Sequence, residues 1–212
     1  IARSTALANL CNITNGTVDV TLKNVRQDRD GAFAFSTFVS GVNPGKIGQL
    51  VLENCFLSVY ANVAGGVYDT THRAWLSRCE FGWAGANAPQ LLAGNSAGSQ
   101  WPGVSLTVTE CVFKDWGSNS SDAAGSFLSP SGSPDVIFEN NFFTFSTLTP
   151  FVQDRYTALI QQTSGRLRFV GNTVGSATVT IPVVIDAPAA DSYVGFNTIY
   201  SRPSTQTSPT PS

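Results

Sequence analysis

The chain has 212 residues, a net charge of −2 and only 12% charged side chains, about half the usual share. That length fits one domain, and the weakly acidic balance gives no pull toward nucleic acid or an anionic membrane surface. No apolar run is long enough to span a bilayer as a helix; Gly, Ser, Thr, Asn and Ala take the place of charges, which suits an all-β chain with many turns.

In chain order, residues 1–17 are expected to form an N-terminal cap, with a short helix around Ala6 to Leu10 and an unassigned Cys11. A first, degenerate repeat follows, Val20-Thr21-Leu22-Lys23-Asn24-Val25. Fuller copies come next: Leu50-Val51-Leu52-Glu53-Asn54-Cys55-Phe56-Leu57, Ala74-Trp75-Leu76-Ser77-Arg78-Cys79-Glu80-Phe81 and Leu106-Thr107-Val108-Thr109-Glu110-Cys111-Val112-Phe113. The series continues with Val136-Ile137-Phe138-Glu139-Asn140-Asn141-Phe142-Phe143, Leu167-Arg168-Phe169-Val170-Gly171-Asn172-Thr173-Val174 and Ser192-Tyr193-Val194-Gly195-Phe196-Asn197-Thr198-Ile199. One position recurs as Val25, Cys55, Cys79, Cys111, Asn141, Asn172 and Asn197, at spacings of 24 to 32 residues. A second apolar patch trails the copies at Val67-Tyr68, Leu91-Leu92, Phe127-Leu128, Leu159-Ile160 and Val183-Val184-Ile185. Residues 201–212 are Pro/Ser/Thr-rich, which predicts an extended tail, linker or O-glycosylated stalk.

Apolar residues at every second position bury one face of a short strand. A single turn of chain cannot cover that face, but stacked turns cover one another and share backbone hydrogen bonds. The expected fold is therefore all-β: a right-handed parallel β-helix of about seven coils over residues 18–200, since parallel crossovers take that hand. At about 4.8 Å per coil the rod is roughly 30 Å long. The recurrent position falls at a bend, where a stacked Asn can cap open polar groups and a Cys is small enough for the same slot. Strings such as Val136-Ile137-Phe138-Glu139-Asn140-Asn141-Phe142-Phe143 resemble coils of the right-handed parallel β-helix superfamily, which holds pectate-lyase-like lyases, polygalacturonase-like hydrolases, phage tailspikes and surface proteins. The resemblance covers residues 18 to 200; it implies the fold and leaves the activity open.

Candidate sites have bland readings beside them. Cys55, Cys79 and Cys111 lack metal-ligand spacing and read as a buried thiol stack, with one disulfide between neighbours an alternative. His72, with Asp69 nearby, has no nucleophile motif and reads as a turn residue. Asp28 and Asp30 are a close carboxylate pair, yet the Asn-Thr-Asp, Asp-Asp, Gly-His-Gly and Arg-Ile-Lys strings of the resembling hydrolases are missing. A lyase needs a cationic base, for which Lys114, Arg78 and Arg155 are candidates, while Arg78 and Glu110 read first as a cross-strand pair. Tyr60, Trp83, Trp116 and Phe145 follow the bends by four or five residues and are the candidates for stacking on sugar rings. The outward row Val51, Trp75, Thr107, Ile137, Arg168, Tyr193 is apolar for a solvent face, which predicts a cover from loops or a neighbouring subunit. Asn12, Asn15 and Asn119 begin N-X-S/T triplets, and Thr205, Thr207, Ser208 and Thr210 are O-glycan candidates.

No catalytic residue, cofactor or metal is assigned from these patterns. The expectation is a secreted or surface-exposed, non-catalytic structural or adhesive protein that self-assembles as a homo-oligomer or filament, or contacts glycans. It has no membrane span and no nucleic-acid partner. The alternative is a polysaccharide lyase, glycoside hydrolase or tailspike-type fragment.

Overall fold

A computed structural model describes residues 11–26, 35–41, 46–65, 73–83, 90–92, 104–114, 135–144, 158–161, 165–175, 183–186 and 191–200. The alternation in sequence becomes alternation in space. In Arg73–Ser77, Ala74 and Leu76 are buried while Arg73 and Trp75 are exposed; in Asp135–Glu139, Val136 and Phe138 are the buried pair. Each such strand ends at a residue with positive φ, and a second short strand leaves in a new direction.

The strands are β1 (Cys11–Ile13), β2 (Thr17–Lys23), β3 (Phe35–Gly41), β4 (Lys46–Glu53), β5 (Phe56–Gly65) and β6 (Arg73–Ser77). They continue with β7 (Glu80–Trp83), β8 (Gln90–Leu92), β9 (Ser105–Thr109), β10 (Val112–Lys114), β11 (Asp135–Glu139) and β12 (Phe142–Thr144). The last are β13 (Ala158–Gln161), β14 (Arg166–Val170), β15 (Thr173–Gly175), β16 (Val183–Asp186), β17 (Tyr193–Gly195) and β18 (Thr198–Tyr200). β2, β4, β6, β9, β11, β14 and β17 form one sheet in that order, and β1, β3, β5, β7, β10, β12, β15 and β18 form the other. β8 adds to β5, while β13 and β16 pair with each other. Every neighbour pair is parallel. No helix occurs among the described residues. The molecule is thus all-β with parallel sheets stacked in register, an arrangement compatible with a parallel β-solenoid.

Register turns the repeat into rows. On the first sheet Leu22, Leu52, Leu76, Val108, Phe138, Phe169 and Val194 are successive partners. On the second, Leu57, Phe81, Phe113, Phe143, Val174 and Ile199 follow one another. From Leu52 to Phe169 and from Leu57 to Val174 these side chains are buried and belong to the core. Phe113 is the centre of an aromatic column, with ring centroids 5.1 Å from Phe81 and 4.9 Å from Phe143. Near-parallel stacking at that spacing is what a parallel sheet imposes on identical neighbours.

The second apolar patches are strands where described: Leu91 and Leu92 in β8, Leu159 and Ile160 in β13, Val183 to Ile185 in β16, with Ile160 opposite Ile185. β8 stacks on Asn62–Ala64 of β5, upstream of the patch at Val67 and Tyr68. Cys11 lies in β1, which pairs with β3. The helix expected at Ala6–Leu10, together with Asp28, Asp30, Val67, Tyr68, Asp69, His72, Phe127, Leu128, Arg155 and residues 201–212, lies outside the described residues.

Candidate functional site

The bends carry the most specific chemistry of the described chain. Asn24, Asn54, Arg78, Glu110, Asn140, Gly171 and Phe196 all have φ between 53° and 66°. That left-handed conformation turns the chain from the first sheet into the second; Gly and Asn adopt it most readily. At Gly171 the Asn140 side chain lies over the glycine, its Oδ1 2.3 Å from where a Cβ would stand, so a larger residue there would have to displace that amide. The residue after the bend is the recurrent one, and the turn aims its N–H away from the neighbouring backbone. The flanking amides still pair between strands: Glu110 N–H donates to the Glu139 carbonyl at 3.1 Å and Val112 N–H to the Cys79 carbonyl at 2.8 Å. The amide between them needs a side-chain acceptor.

The next rung supplies it. Cys111 N–H donates to Asn141 Oδ1 at 2.9 Å, Asn141 N–H to Asn172 Oδ1 at 2.9 Å, and Asn172 N–H to Asn197 Oδ1 at 2.8 Å. In the first half sulfur takes the role: Cys55 N–H donates to Cys79 Sγ and Cys79 N–H to Cys111 Sγ, both at 3.4 Å. The Asn amides also donate to main chain, Asn141 to the Val108 carbonyl, Asn172 to Phe138 and Asn197 to Phe169. The thiols of Cys79 and Cys111 donate to the carbonyls of Ser77 and Thr109. Val25 sits at the head of the series, half-buried against the core. Cys and Asn can thus fill the same slot, Cys in three successive rungs and Asn in the next three, because each is a small side chain that both accepts and donates.

The three thiols are free and buried. Hydrogen bonding to Cys79, with burial second, holds the Cys55 thiol far above the ordinary cysteine range. Hydrogen bonding to Cys111 pushes Cys79 up to about 12, despite opposing hydrogen bonds from Cys55. Neutral, enclosed thiols are neither nucleophiles nor ready metal ligands. No group of three or more His, Cys, Asp or Glu able to hold a metal ion occurs among the described residues. No helix among them is long and apolar enough to cross a membrane.

The outer surface of the first sheet is laced with ion pairs. Glu53 accepts from Lys23 at 2.7 Å and from Arg78. Asp135 is held by a two-pronged contact from Arg166 at 2.8 and 2.7 Å, and Glu139 by Arg168. Glu53 is kept below the usual carboxylate range by the hydrogen bond from Lys23, then by that ammonium's charge, with Arg78 adding to it. Arg166 does the same for Asp135. The expected Arg78–Glu110 pair is corrected here: the guanidinium reaches back one rung to Glu53 instead of forward. On the second sheet Lys114 is bonded to Glu80 at 2.7 Å. The cations considered for a lyase are therefore tied to separate carboxylates where described.

The outward row holds its register, with Thr21, Val51, Trp75, Thr107, Ile137, Arg168 and Tyr193 as successive partners. Trp75 is 54% exposed and Tyr193 48%, with the Arg168 guanidinium 5.7 Å from the Tyr193 ring centre. Of the candidate sugar-stacking residues, Tyr60 lies in β5 and Trp83 in β7, with side chains outside the description; Trp116 and Phe145 lie wholly outside it. Asn15 is in an exposed turn and Asn12 is in β1; Asn119, Thr205, Thr207, Ser208 and Thr210 fall outside. Reading residues alone missed the left-handed bend. Its signal was present, since four of the positions before the recurrent residue are Asn or Gly.

The chain matches no family model, no curated protein and no solved structure.

Proposed function

We propose that this chain is a non-catalytic extracellular structural or adhesive protein, a right-handed parallel β-helix of about seven coils. On this reading it is a subunit of a surface fibre or filament, or a module that contacts glycans. It stands with the parallel β-helix superfamily by fold, not by any of that group's enzymatic activities.

One observation carries the reading. The outer wall of the first sheet presents side chains one strand spacing apart, with Trp75 and Tyr193 exposed among paired charges. Such a wall offers flat aromatic faces, and its Glu53, Asp135 and Glu139 carboxylates are neutralised by neighbours. General acid–base work needs groups whose protonation is poised near working pH. Glu53 and Asp135 are shifted the other way, toward a permanently charged state.

The test is a glycan-array screen of the full chain beside an activity screen on pectin, alginate and chondroitin. Binding that falls at least about tenfold in Trp75→Ala, with no release of unsaturated or reducing sugars, supports the proposal. Release of such products, lost in Lys114→Ala, would replace it with the lyase reading.

A further inference from the structure

The two exposed aromatic faces on the outer wall of the first sheet stand in different electrostatic surroundings. Trp75 projects from β6 on the same face as Arg73, two residues earlier and so about 7 Å along the strand. Both are exposed, and the Arg73 side chain enters no ion pair or hydrogen bond among the described residues. On the other side of Trp75, Lys23 and Arg78 converge on the single carboxylate of Glu53, which lies opposite Ser77 on the neighbouring strand. Two cations on one carboxylate leave an excess of positive charge there. The cation beside Tyr193 is engaged instead: Arg168 stands over its ring and is bonded to Glu139. Asp135 and Glu139, at the two ends of β11, are each matched by one arginine, so that part of the wall is balanced. The strands flanking Trp75 add neutral hydrogen-bonding groups. Gln49 of β4 lies opposite Arg73, and Ser105, Thr107 and Thr109 line the outer face of β9 opposite Arg73, Trp75 and Ser77. Trp75 is the one exposed large apolar side chain of β4, β6 and β9, so this stretch lacks the apolar area that a stable protein interface buries.

We infer that this stretch of the wall is a subsite for an anionic glycan, a chain whose sugars carry carboxylate or sulfate groups. The inference rests on the glycan-contacting reading above and names the ligand class for its Trp75 face. Each part of such a ligand meets matching chemistry. The apolar face of a pyranose ring lies on the indole. An acidic group beside it comes within reach of the Arg73 guanidinium, whose planar fork of donors fits anionic oxygens. Hydroxyl groups meet Gln49, Ser105 and Thr107, set at steps of about 4.8 Å by the strand spacing, so a glycan crossing the strands finds a side chain at every step. Binding here breaks no existing pair, because Arg73 has no internal carboxylate to give up. At Tyr193 an anion would have to displace Glu139 from Arg168. A neutral glycan would leave the Arg73 charge unused, and an acidic polypeptide would bring no saturated ring to cover Trp75.

Titration calorimetry of the full chain reads the outcome, at about 0.1 M salt, where charges act over about 10 Å. The probes are an oligogalacturonate, a sulfated heparin fragment and a neutral galactan of equal length, with poly-glutamate beside them. At least one acidic glycan should bind about fivefold more tightly than the neutral one, the worth of an exposed ion pair, and which of the two does so identifies the carboxylate or the sulfate as the source. Arg73→Gln should remove that preference without lowering the melting temperature, since the side chain it replaces is exposed and unpaired among the described residues. Arg166→Gln, three strands away, should leave the preference in place. About 1 M salt should erase it, since the screening length is then about 3 Å. Equal affinity for neutral and acidic glycans, a preference that survives Arg73→Gln, or poly-glutamate binding as tightly and indifferent to Trp75→Ala would overturn the inference. Neutral and acidic glycans bound alike, and both lost in Trp75→Ala, would remove the anionic subsite and leave the glycan-contacting reading standing. No binding of any glycan would remove both.

Discussion

Replacing Asn172 by alanine probes the acceptor logic of the bends directly. Asn172 is fully buried, and its Oδ1 receives both the main-chain N–H and the side-chain amide of Asn141, each at 2.9 Å. Its own amide serves the Phe138 carbonyl at 2.9 Å. Truncation leaves two buried donors and one carbonyl without partners. At about 1–3 kcal/mol for each stranded donor, and less for the carbonyl, the loss is about 3–6 kcal/mol. That is a large share of the ~5–15 kcal/mol that holds a typical domain together. Asn197→Ala is the control. It removes an equivalent set, accepting from Asn172 N–H at 2.8 Å and donating to Phe169 at 2.8 Å. Water reaches that half-buried rung, so about 1–2 kcal/mol is expected. Urea unfolding followed by far-ultraviolet circular dichroism measures both. Equal losses in the two variants, or less than ~1 kcal/mol at Asn172, would refute the claim that bend amides depend on the ladder.

Other outcomes follow from the same geometry. Glu110→Asn should stabilise the fold by about 0.5–1 kcal/mol, since Asn tolerates the left-handed bend better than Glu; thermal melting reads it, and a fall in stability contradicts it. Phe113→Ala, at the centre of the aromatic column, should cost about 3–5 kcal/mol in the same urea assay. Cys79 titrates near 12 when folded and close to 8.5 when unfolded, so its contribution is complete below about pH 8.5 and declines as pH rises toward 12, by up to ~1.4 kcal/mol per pH unit. A Cys79→Asn variant should show a shallower alkaline decline, and identical slopes would refute the shift. Glu53 and Asp135 are displaced downward, so the stability they add is present above the ordinary carboxylate range and is lost as pH falls through their folded values. High salt should shrink that acid-side loss, because these pairs are exposed.

Local pattern was enough to determine a good deal. Alternation within each eight-residue copy marked which residues face inward, and recurrence of one Cys/Asn slot placed Cys55, Cys79, Cys111, Asn141, Asn172 and Asn197 in a series that the hydrogen bonds of the bends join end to end. These are properties of a strand's two-residue period and of a bend's amide, which are set within a few bonds of chain. The partner of a long side chain is not. Arg78 stands at the same corner position as Glu110 on the next rung, yet its guanidinium pairs with Glu53 on the rung before, a choice that no local pattern encodes. Likewise, β8 stacks on Asn62–Ala64, inside the long strand β5, a pairing that the apolar pattern did not mark. Val194 and Ile199 show the same division most sharply. Their pattern is that of core residues in earlier copies, yet they are half-exposed where no further rung follows among the described residues, because a solenoid residue is covered by its neighbouring rungs and not by its own strand.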